Sequence, residues 1–133
     1  MNSFPLKIVT PDGLLFDGQA EELIVRTTSG DLGILAGHIN CVAPLGMGRA
    51  TLVSDGQTRY AACIGGMLSV VNGVVTLVPT TFEWAESIDV SRAEASAQRA
   101  KSVMASASAS DTELRLAEAR LKRALIRKRV AGG

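Results

Sequence analysis

Residues 58–78 read TRYAACIGGMLSVVNGVVTLV and contain three runs of β-prone residues, at 58–64, 68–71 and 74–78, of which the last two flank the pair Asn72-Gly73. Such a pair between β-branched residues is a strong short-range signal for a β-hairpin, because both residues tolerate positive φ. The pair Asp55-Gly56 precedes the first run and predicts another hairpin in the same way. This part of the chain is therefore predicted to form antiparallel β-sheet.

The same alternation of strand and turn continues toward the N-terminus. Further β-prone runs occupy residues 6–9, 14–16, 22–27 and 50–53. Turn signals separate them at Pro11-Asp12-Gly13, Asp17-Gly18 and Ser29-Gly30. Several short strands with turn residues between them predict a sandwich or a barrel. We interpret residues 1–86 as an antiparallel β-sandwich.

The composition changes at about Ser87. Residues 87–133 contain no proline, glycine occurs only in the terminal pair, and alanine, glutamate, lysine and arginine dominate. These are good helix formers. We therefore predict a two-helix hairpin over residues 87–133, with Asp89 as the first N-cap, a loose connection over residues 105–110, and a second helix from Asp111 or Thr112.

The predicted seam of this hairpin is made of small side chains. Its members recur at helical spacing, as Ala93, Ala97, Ala100 and Met104 on the first helix and Leu114, Ala117, Leu121 and Ala124/Leu125 on the second. Each buried methylene contributes only about 0.8 kcal/mol. An alanine seam therefore predicts a hairpin that is weakly held and able to detach or unfold.

Charge is distributed unequally between the two halves. Residues 1–86 carry four basic and eight acidic residues, whereas residues 87–133 carry ten basic and five acidic ones. The basic half is expected to meet an anionic partner, and carboxylates, nucleotide phosphates and nucleic acid would all qualify. Nucleic acid is disfavoured because the helical half has no aromatic residue on which bases would stack.

No catalytic or metal-binding constellation is visible. His38 is the single histidine and is expected to fix a turn by hydrogen bonding, since it lacks the partners of a triad or a metal site. The glycines at 30, 33 and 37 are interpreted as turn formers, because the lysine of a Walker loop is absent after them. Cys41 and Cys63 are expected to be reduced core residues. These patterns argue against an enzyme.

Membrane insertion is not expected either. No run approaches the roughly 20 apolar residues that a spanning helix needs, and no signal peptide is visible. The interpretation is a cytoplasmic protein, with peripheral association with a membrane left open.

Three segments taken in order carry a resemblance to a known family. They are SGDLGILAGH at 29–38 followed by VAPL at 42–45, VTPDG at 9–13, and IGGMLSV at 64–70. Together with the alanine-rich hairpin they resemble the epsilon subunit of F-type ATP synthases, over residues 6 to about 129. Many members have proline where this chain has Asn40, and we expect this difference to loosen the turn. A free-standing β-sandwich binding module with a basic helical tail is the alternative.

The resemblance implies a fold, a set of partners and a place in the cell. It implies a sandwich of about ten strands that couples the ring of c subunits to the gamma subunit, without catalysis and without a required cofactor. An extended hairpin would touch the alpha and beta subunits and inhibit ATP hydrolysis. The protein would lie peripherally on the cytoplasmic face of a bacterial inner membrane.

A regulatory ATP site is implied by the start of the first helix. The run Ile88-Asp89-Val90-Ser91-Arg92-Ala93 resembles the family pattern that marks ATP binding by the folded hairpin. The residues that match the family's site are Glu83, Ile88, Asp89, Arg92, Ala93, Arg99, Arg123 and Arg127.

The spacing of the four arginines is compatible with that site. Arg92 and Arg99 share one helix face, as do Arg123 and Arg127, and guanidinium groups bind phosphate oxygens bidentately. Glu83 and Asp89 would receive the adenine amino group or the ribose hydroxyls. The alternatives are that Asp89 is only a helix cap and that Arg92 pairs with a carboxylate.

The basic run of the second helix has a further possible use. It comprises Arg120, Lys122, Arg123, Arg127, Lys128 and Arg129. In an extended hairpin these side chains would engage acidic segments of the beta subunits. A solvated helix face is the alternative.

Overall fold

The structure, a computed structural model that describes residues 2–132, divides into two compact units, one up to Trp84 and one from Ala85 onward. The first unit is made of strands and turns, and the second is helical. This confirms the predicted fold class, a β-sandwich followed by an α-helical hairpin.

Eight strands form the first unit. They are β1 (Phe4–Thr10), β2 (Gly13–Ala20), β3 (Glu22–Thr27), β4 (Gly30–Ile34), β5 (Cys41–Pro44), β6 (Met47–Ser54), β7 (Gln57–Val71) and β8 (Val74–Trp84). Neighbouring strands follow the order β2-β1-β8-β7-β6-β3-β4, and β5 pairs with β7. The β1–β8 pair is parallel, whereas the other strand pairs named here are antiparallel.

The core of this unit is aliphatic. Alternate residues of β1 and β3 point inward, as the period of two requires. The side chains that are at most 1% exposed include Leu6, Ile8, Leu23, Val25, Leu68, Val70 and Leu77. Phe16, Phe82 and Trp84 are only partly buried and pack against the margin of this cluster. A core of Leu, Ile and Val is what a chain with 4% aromatic residues can build.

The count of eight strands within residues 2–132 corrects the expected count of about ten. Part of the difference lies in β7, which runs for 15 residues through Gly65-Gly66 and joins two runs that were predicted as separate strands. The φ angles of Gly65 and Gly66 are +67° and +97°. These angles redirect the strand without ending it, so that β7 pairs with β6 as far as Ile64 and with β5 from Met67.

Two predicted turns are also wrong in part. Asp17 and Gly18 lie inside β2, where they pair with Lys7 and Leu6 of β1. Pairing along the whole length of β1 overrides the local turn preference of Asp-Gly. Similarly, Gly33 lies within β4 and pairs with Ile24 of β3, so it is a strand residue and not a turn former.

The second unit contains a 3-10 turn (Ala85–Ser87), α1 (Val90–Met104) and α2 (Asp111–Ala131). The Asp89 side chain accepts a hydrogen bond from the Arg92 backbone N–H at 3.0 Å, which confirms the predicted N-cap. α2 starts at Asp111, and its N-cap is Ser110, which forms a reciprocal capping box with Glu113. The loose connection between the helices is confirmed.

The seam between α1 and α2 is even smaller-sided than predicted. Its buried residues are Ala93, Ala97 and Ala100 on α1, with Ala117, Ala124 and Val130 on α2. Met104 and Leu125 were expected on the seam, but they are 38% and 42% exposed. Leu114 and Leu121, also predicted on the seam, are half-buried, so the fully buried part of the seam is alanine and one valine.

Candidate functional site

A groove of about 520 Å³ runs between α1 and α2, within the helical unit. Small-molecule sites in proteins commonly have volumes of roughly 300–1,000 Å³. The groove is lined by Ser96, Arg99, Ala100 and Val103 from α1 and by Glu113, Leu116, Ala117, Arg120 and Arg123 from α2.

Helical periodicity explains which residues line the groove. Positions three, four and seven apart lie on one face of a helix, and both sets of lining residues follow that spacing. Ala100 and Ala117 are buried, with 3% and 2% exposure, and belong to the seam. Their methyl groups leave open space between the longer side chains on either wall. The small side chains of the seam therefore help to form the groove.

The groove is polarised in charge along its length. Val103 and Leu116 lie toward the connection between the helices, whereas Arg99, Arg120 and Arg123 lie farther from it. Among residues 2–132, the guanidinium groups of these three arginines make no ion pair or hydrogen bond. The acidic residue in the lining, Glu113, already accepts a bond from the Ser110 backbone N–H at 3.3 Å. This excess of positive charge is suited to an anion.

The structure brings two of the four predicted phosphate-binding arginines into this groove, Arg99 and Arg123. Arg92 is exposed in the first turn of α1, and Arg127 is half-buried in the last part of α2; neither lines the groove.

The remaining predicted site residues have other surroundings. Ile88 and Ala93 are buried, and Asp89 is the exposed cap of α1. Glu83 lies on β8 in the other unit, opposite Ala62 of β7. Their role in binding a nucleotide stays a prediction.

Arg120 is the residue that the sequence interpretation did not place in a site. It was included only in the basic run of the second helix. Its spacing of three residues from Arg123 was a signal, because residues three apart are neighbours on a helix surface. The family resemblance identifies Arg123 and Arg127 instead.

The start of α1 and the end of α2 are joined by an ion pair. Lys128 Nζ lies 3.2 Å from Glu94 Oε1, and the two side chains are 32% and 51% exposed. Exposed pairs of this kind contribute about 0–1 kcal/mol. This ion pair therefore adds little to the weak seam.

His38 and Asn40 stabilise loops of the first unit. The His38 ring donates from Nδ1 to the Ile39 carbonyl at 2.8 Å, which confirms the expected structural role. Asn40 was expected to loosen its turn. Instead its Oδ1 accepts a hydrogen bond from the Asn72 backbone N–H at 2.8 Å and ties the loop to the β7–β8 turn.

The two cysteines are free thiols. Cys63 is buried, as predicted, and burial raises the pKa of its thiol to about 12. Cys41 is half-buried against the same core. Within residues 2–132, no group of three or more His, Cys, Asp and Glu side chains is placed to hold a metal ion. Over the same residues, no helix has the length and hydrophobicity to cross a membrane.

One face of β5, β7 and β8 is apolar and exposed. Met67 lies opposite Val78 and Val71 opposite Val74 in the β7–β8 pair, and Pro44 lies opposite Met67 in the β5–β7 pair. Their alternation with buried residues places these side chains on the outer side of the sheet. Exposed fractions are 44% for Met67, 52% for Val71, 48% for Val74 and 45% for Val78. The cross-strand pair Ser69–Thr76 lies between these two apolar pairs on the same face. Exposed apolar side chains grouped in this way are typical of interaction surfaces.

Comparison with solved structures shows the same fold in two mitochondrial assemblies. A chain of the Euglena gracilis mitochondrial ATP synthase superimposes with a TM-score of 0.80 at 23% identity, over 90% of this chain and 76% of that one. A chain in the Tetrahymena thermophila mitochondrial ATP synthase central stalk and c-ring has a TM-score of 0.62 at 12% identity, over 96% and 95%.

Sequence comparison shows the family. Residues 3–85 match the β-sandwich domain of the ATP synthase delta/epsilon chain, and residues 86–132 match its long α-helix domain. The ATP synthase epsilon chain of Bacillus velezensis is 48% identical over 132 residues, which is 99% of each chain. That of Ruminococcus albus is 43% identical over 98% of each chain. The chain therefore belongs to the ATP synthase delta/epsilon chain family, as an epsilon-type, non-catalytic subunit.

Proposed function

We propose that the protein is a central-stalk subunit of a bacterial proton-translocating ATP synthase. Its β-sandwich couples the ring of c subunits to the gamma subunit, and its helical hairpin restrains ATP hydrolysis. Family membership supports the stalk position, since a solved relative of the same fold lies in a central stalk with a c-ring. In this role the protein lies peripherally on the cytoplasmic face of the inner membrane.

The observation that carries the regulatory part is the alanine seam. Five of the six buried seam residues are alanines, within a helical unit that is compact on its own. An alanine side chain buries a single methyl group, which contributes about 0.8 kcal/mol. The folded and opened hairpin are therefore close in free energy, as a regulatory element requires. Arg115, Lys122 and Arg129 are already exposed on α2 in the folded hairpin, and an extended hairpin would bring them to acidic segments of the alpha and beta subunits.

The exposed apolar face of β5, β7 and β8 supports docking of the gamma subunit. A row of valine and methionine side chains facing water is unfavourable in an isolated subunit, and contact with a partner would remove that surface from water. Contact with the c-ring rests on the family relationship.

ATP is the regulatory ligand in this proposal, and no other cofactor is required. The folded hairpin has a groove lined by Arg99, Arg120 and Arg123, whose guanidinium groups have no partner among residues 2–132, and an opened hairpin would lose this groove. A ligand that binds only the folded form stabilises that form. High ATP therefore holds the hairpin in its folded, non-inhibitory state.

The experiment that tests the regulatory role measures ATP hydrolysis by the whole enzyme after removal of residues 88–133 of this subunit. We expect hydrolysis to increase and the truncated subunit to stay folded and bound to gamma. Unchanged hydrolysis with normal assembly would contradict an inhibitory hairpin. Failure of the full-length subunit to bind gamma, with tight salt-sensitive binding to nucleic acid, would favour a free-standing binding module instead.

A further inference from the structure

Arg120 lies in the groove between α1 and α2, together with Arg99 and Arg123. Arg99 belongs to α1, whereas Arg120 and Arg123 lie three residues apart on α2 and so project from the same helix face. Three arginines thus line one groove from both helices. Neither Arg120 nor Arg99 has a carboxylate partner in the part of the chain that the structure describes.

Like charges that share a groove repel each other, and this repulsion opposes the closed hairpin. An anion that contacts all three groups at once would remove the repulsion and join α1 to α2. A chain of phosphates is such an anion, because its oxygens accept paired hydrogen bonds from several guanidinium groups along its length.

We infer that Arg120 is a third phosphate ligand of the groove, and that with Arg99 and Arg123 it selects an anion carrying at least three phosphates. This inference rests on the proposed binding of ATP by the folded hairpin and adds a residue and a selectivity to it. Glu113 lies at the end of the groove nearest the connection between the helices. Its carboxylate repels phosphate oxygens and so limits how far the phosphate chain extends in that direction.

The test is isothermal titration of the full chain with three ligands, ATP, ADP and inorganic triphosphate. We expect Arg120→Ala to lower the affinity for ATP by about tenfold, the effect of losing one charge-assisted contact at an exposed site. The affinity for ADP, which has one phosphate fewer, should fall by a smaller factor. An equal loss for inorganic triphosphate and ATP would assign the effect to the phosphate chain and not to the nucleoside.

Three further variants make the test specific. Lys122→Ala removes a positive charge from the exposed surface of the same helix outside the groove, and should change the ATP affinity less than about twofold. Arg120→Lys keeps the charge but loses bidentate geometry, so its affinity should fall between those of wild type and Arg120→Ala. Glu113→Gln keeps a residue suited to the capping box and should bind triphosphate more tightly.

The outcomes separate this inference from the proposal on which it rests. If wild type binds ATP and Arg120→Ala behaves like Lys122→Ala, the role of Arg120 is wrong while ATP binding stands. If wild type binds none of the three ligands, both are wrong. The thermal midpoint of the unliganded helices should be equal or higher in Arg120→Ala. A lower midpoint together with a uniform loss for every ligand would assign Arg120 a purely structural role and overturn the inference.

Discussion

Arg99 of α1 and Arg123 of α2 line the same groove, so that one ligand can contact both helices at once. Arg92 and Arg127, which the family pattern pairs with them, do not line it. An anion held by Arg99 and Arg123 would bridge the two helices across a seam made mainly of alanine. In the proposed function, binding at this pair would therefore favour the closed hairpin.

This relationship predicts unequal effects of two arginine substitutions on ATP binding. ATP at a hundred times its dissociation constant should stabilise the folded hairpin by about 2.7 kcal/mol and raise its thermal midpoint. Arg123→Ala should abolish most of that shift, whereas Arg92→Ala should reduce it by a smaller amount. The measurement is circular dichroism melting of the helices with and without ATP. No shift of wild type at several millimolar ATP, or a larger loss in Arg92→Ala, would contradict the prediction.

The seam should be sensitive to a change as small as one methyl group. Ala97 is 1% exposed on the inner face of α1, so Ala97→Gly removes a buried methyl and also lowers helix propensity by about 1 kcal/mol. We expect the stability of the folded hairpin to fall by roughly 2 kcal/mol, so that the hairpin opens more readily. Ala95→Gly is the matched control, because Ala95 is exposed and loses only the propensity. Equal melting of the two variants would show that the seam does not hold the hairpin.

The bend in β7 should not tolerate a side chain at Gly66. A Cβ atom there would overlap the Val78 carbonyl oxygen and lie 2.7 Å from Pro79 Cα, at a backbone φ of +97°. Strain of this kind costs about 1–3 kcal/mol before the clash is added. Gly66→Ala should therefore destabilise the sandwich by roughly 3 kcal/mol or more in urea unfolding.

Gly33→Ala is the control for that substitution, because Gly33 has open space around its Cα. Its stability should stay within about 1 kcal/mol of wild type. Similar destabilisation by both variants would mean that the bend at Gly66 is not the cause.

Alkaline pH should destabilise the sandwich through Cys63. Burial raises the pKa of this thiol from 9.0 to about 12, so the unfolded chain ionises from about pH 9 while the native protein keeps the proton. The stability that the protonated Cys63 thiol contributes is complete below about pH 9 and is lost as the pH rises toward 12. Between pH 8 and pH 10, wild type should lose about 1 kcal/mol more stability than Cys63→Ala. Cys41→Ala is the control and should keep the wild-type pH dependence; an unchanged slope in Cys63→Ala would contradict the assignment.

Local signals explain which parts of the fold could be predicted. Asn72-Gly73 and Asp55-Gly56 stand at observed turns, and Asp89 caps α1, because these residues satisfy requirements of the backbone within a few positions. The connection between the helices was predictable for the same reason. By contrast, the turn predicted at Asp17-Gly18 is wrong. These two residues pair with β1, and pairing along that whole strand overrides their local preference for a turn.

Some residues of the candidate site could be predicted from the sequence, but their grouping in one groove could not. Periodicity and the family resemblance identified Arg99 and Arg123, and a residue's helix face follows from its own position in the chain. Which residues of α2 lie opposite those of α1 depends on how the two helices pack against each other at the seam. For that reason Arg120 could not be separated from the other basic residues of the second helix.

The sequence by itself thus determined the two kinds of secondary structure, the Asp89 cap, the turns at Asp55-Gly56 and Asn72-Gly73, and much of the alanine composition of the seam, because these depend on neighbours within about one helical turn or one hairpin. The tertiary structure alone decided that β7 changes partners at Gly65-Gly66, that Asp17-Gly18 joins a strand, and that Arg99, Arg120 and Arg123 share a groove. Those features depend on contacts between segments that are distant in the chain, and such contacts are set by packing of the whole unit.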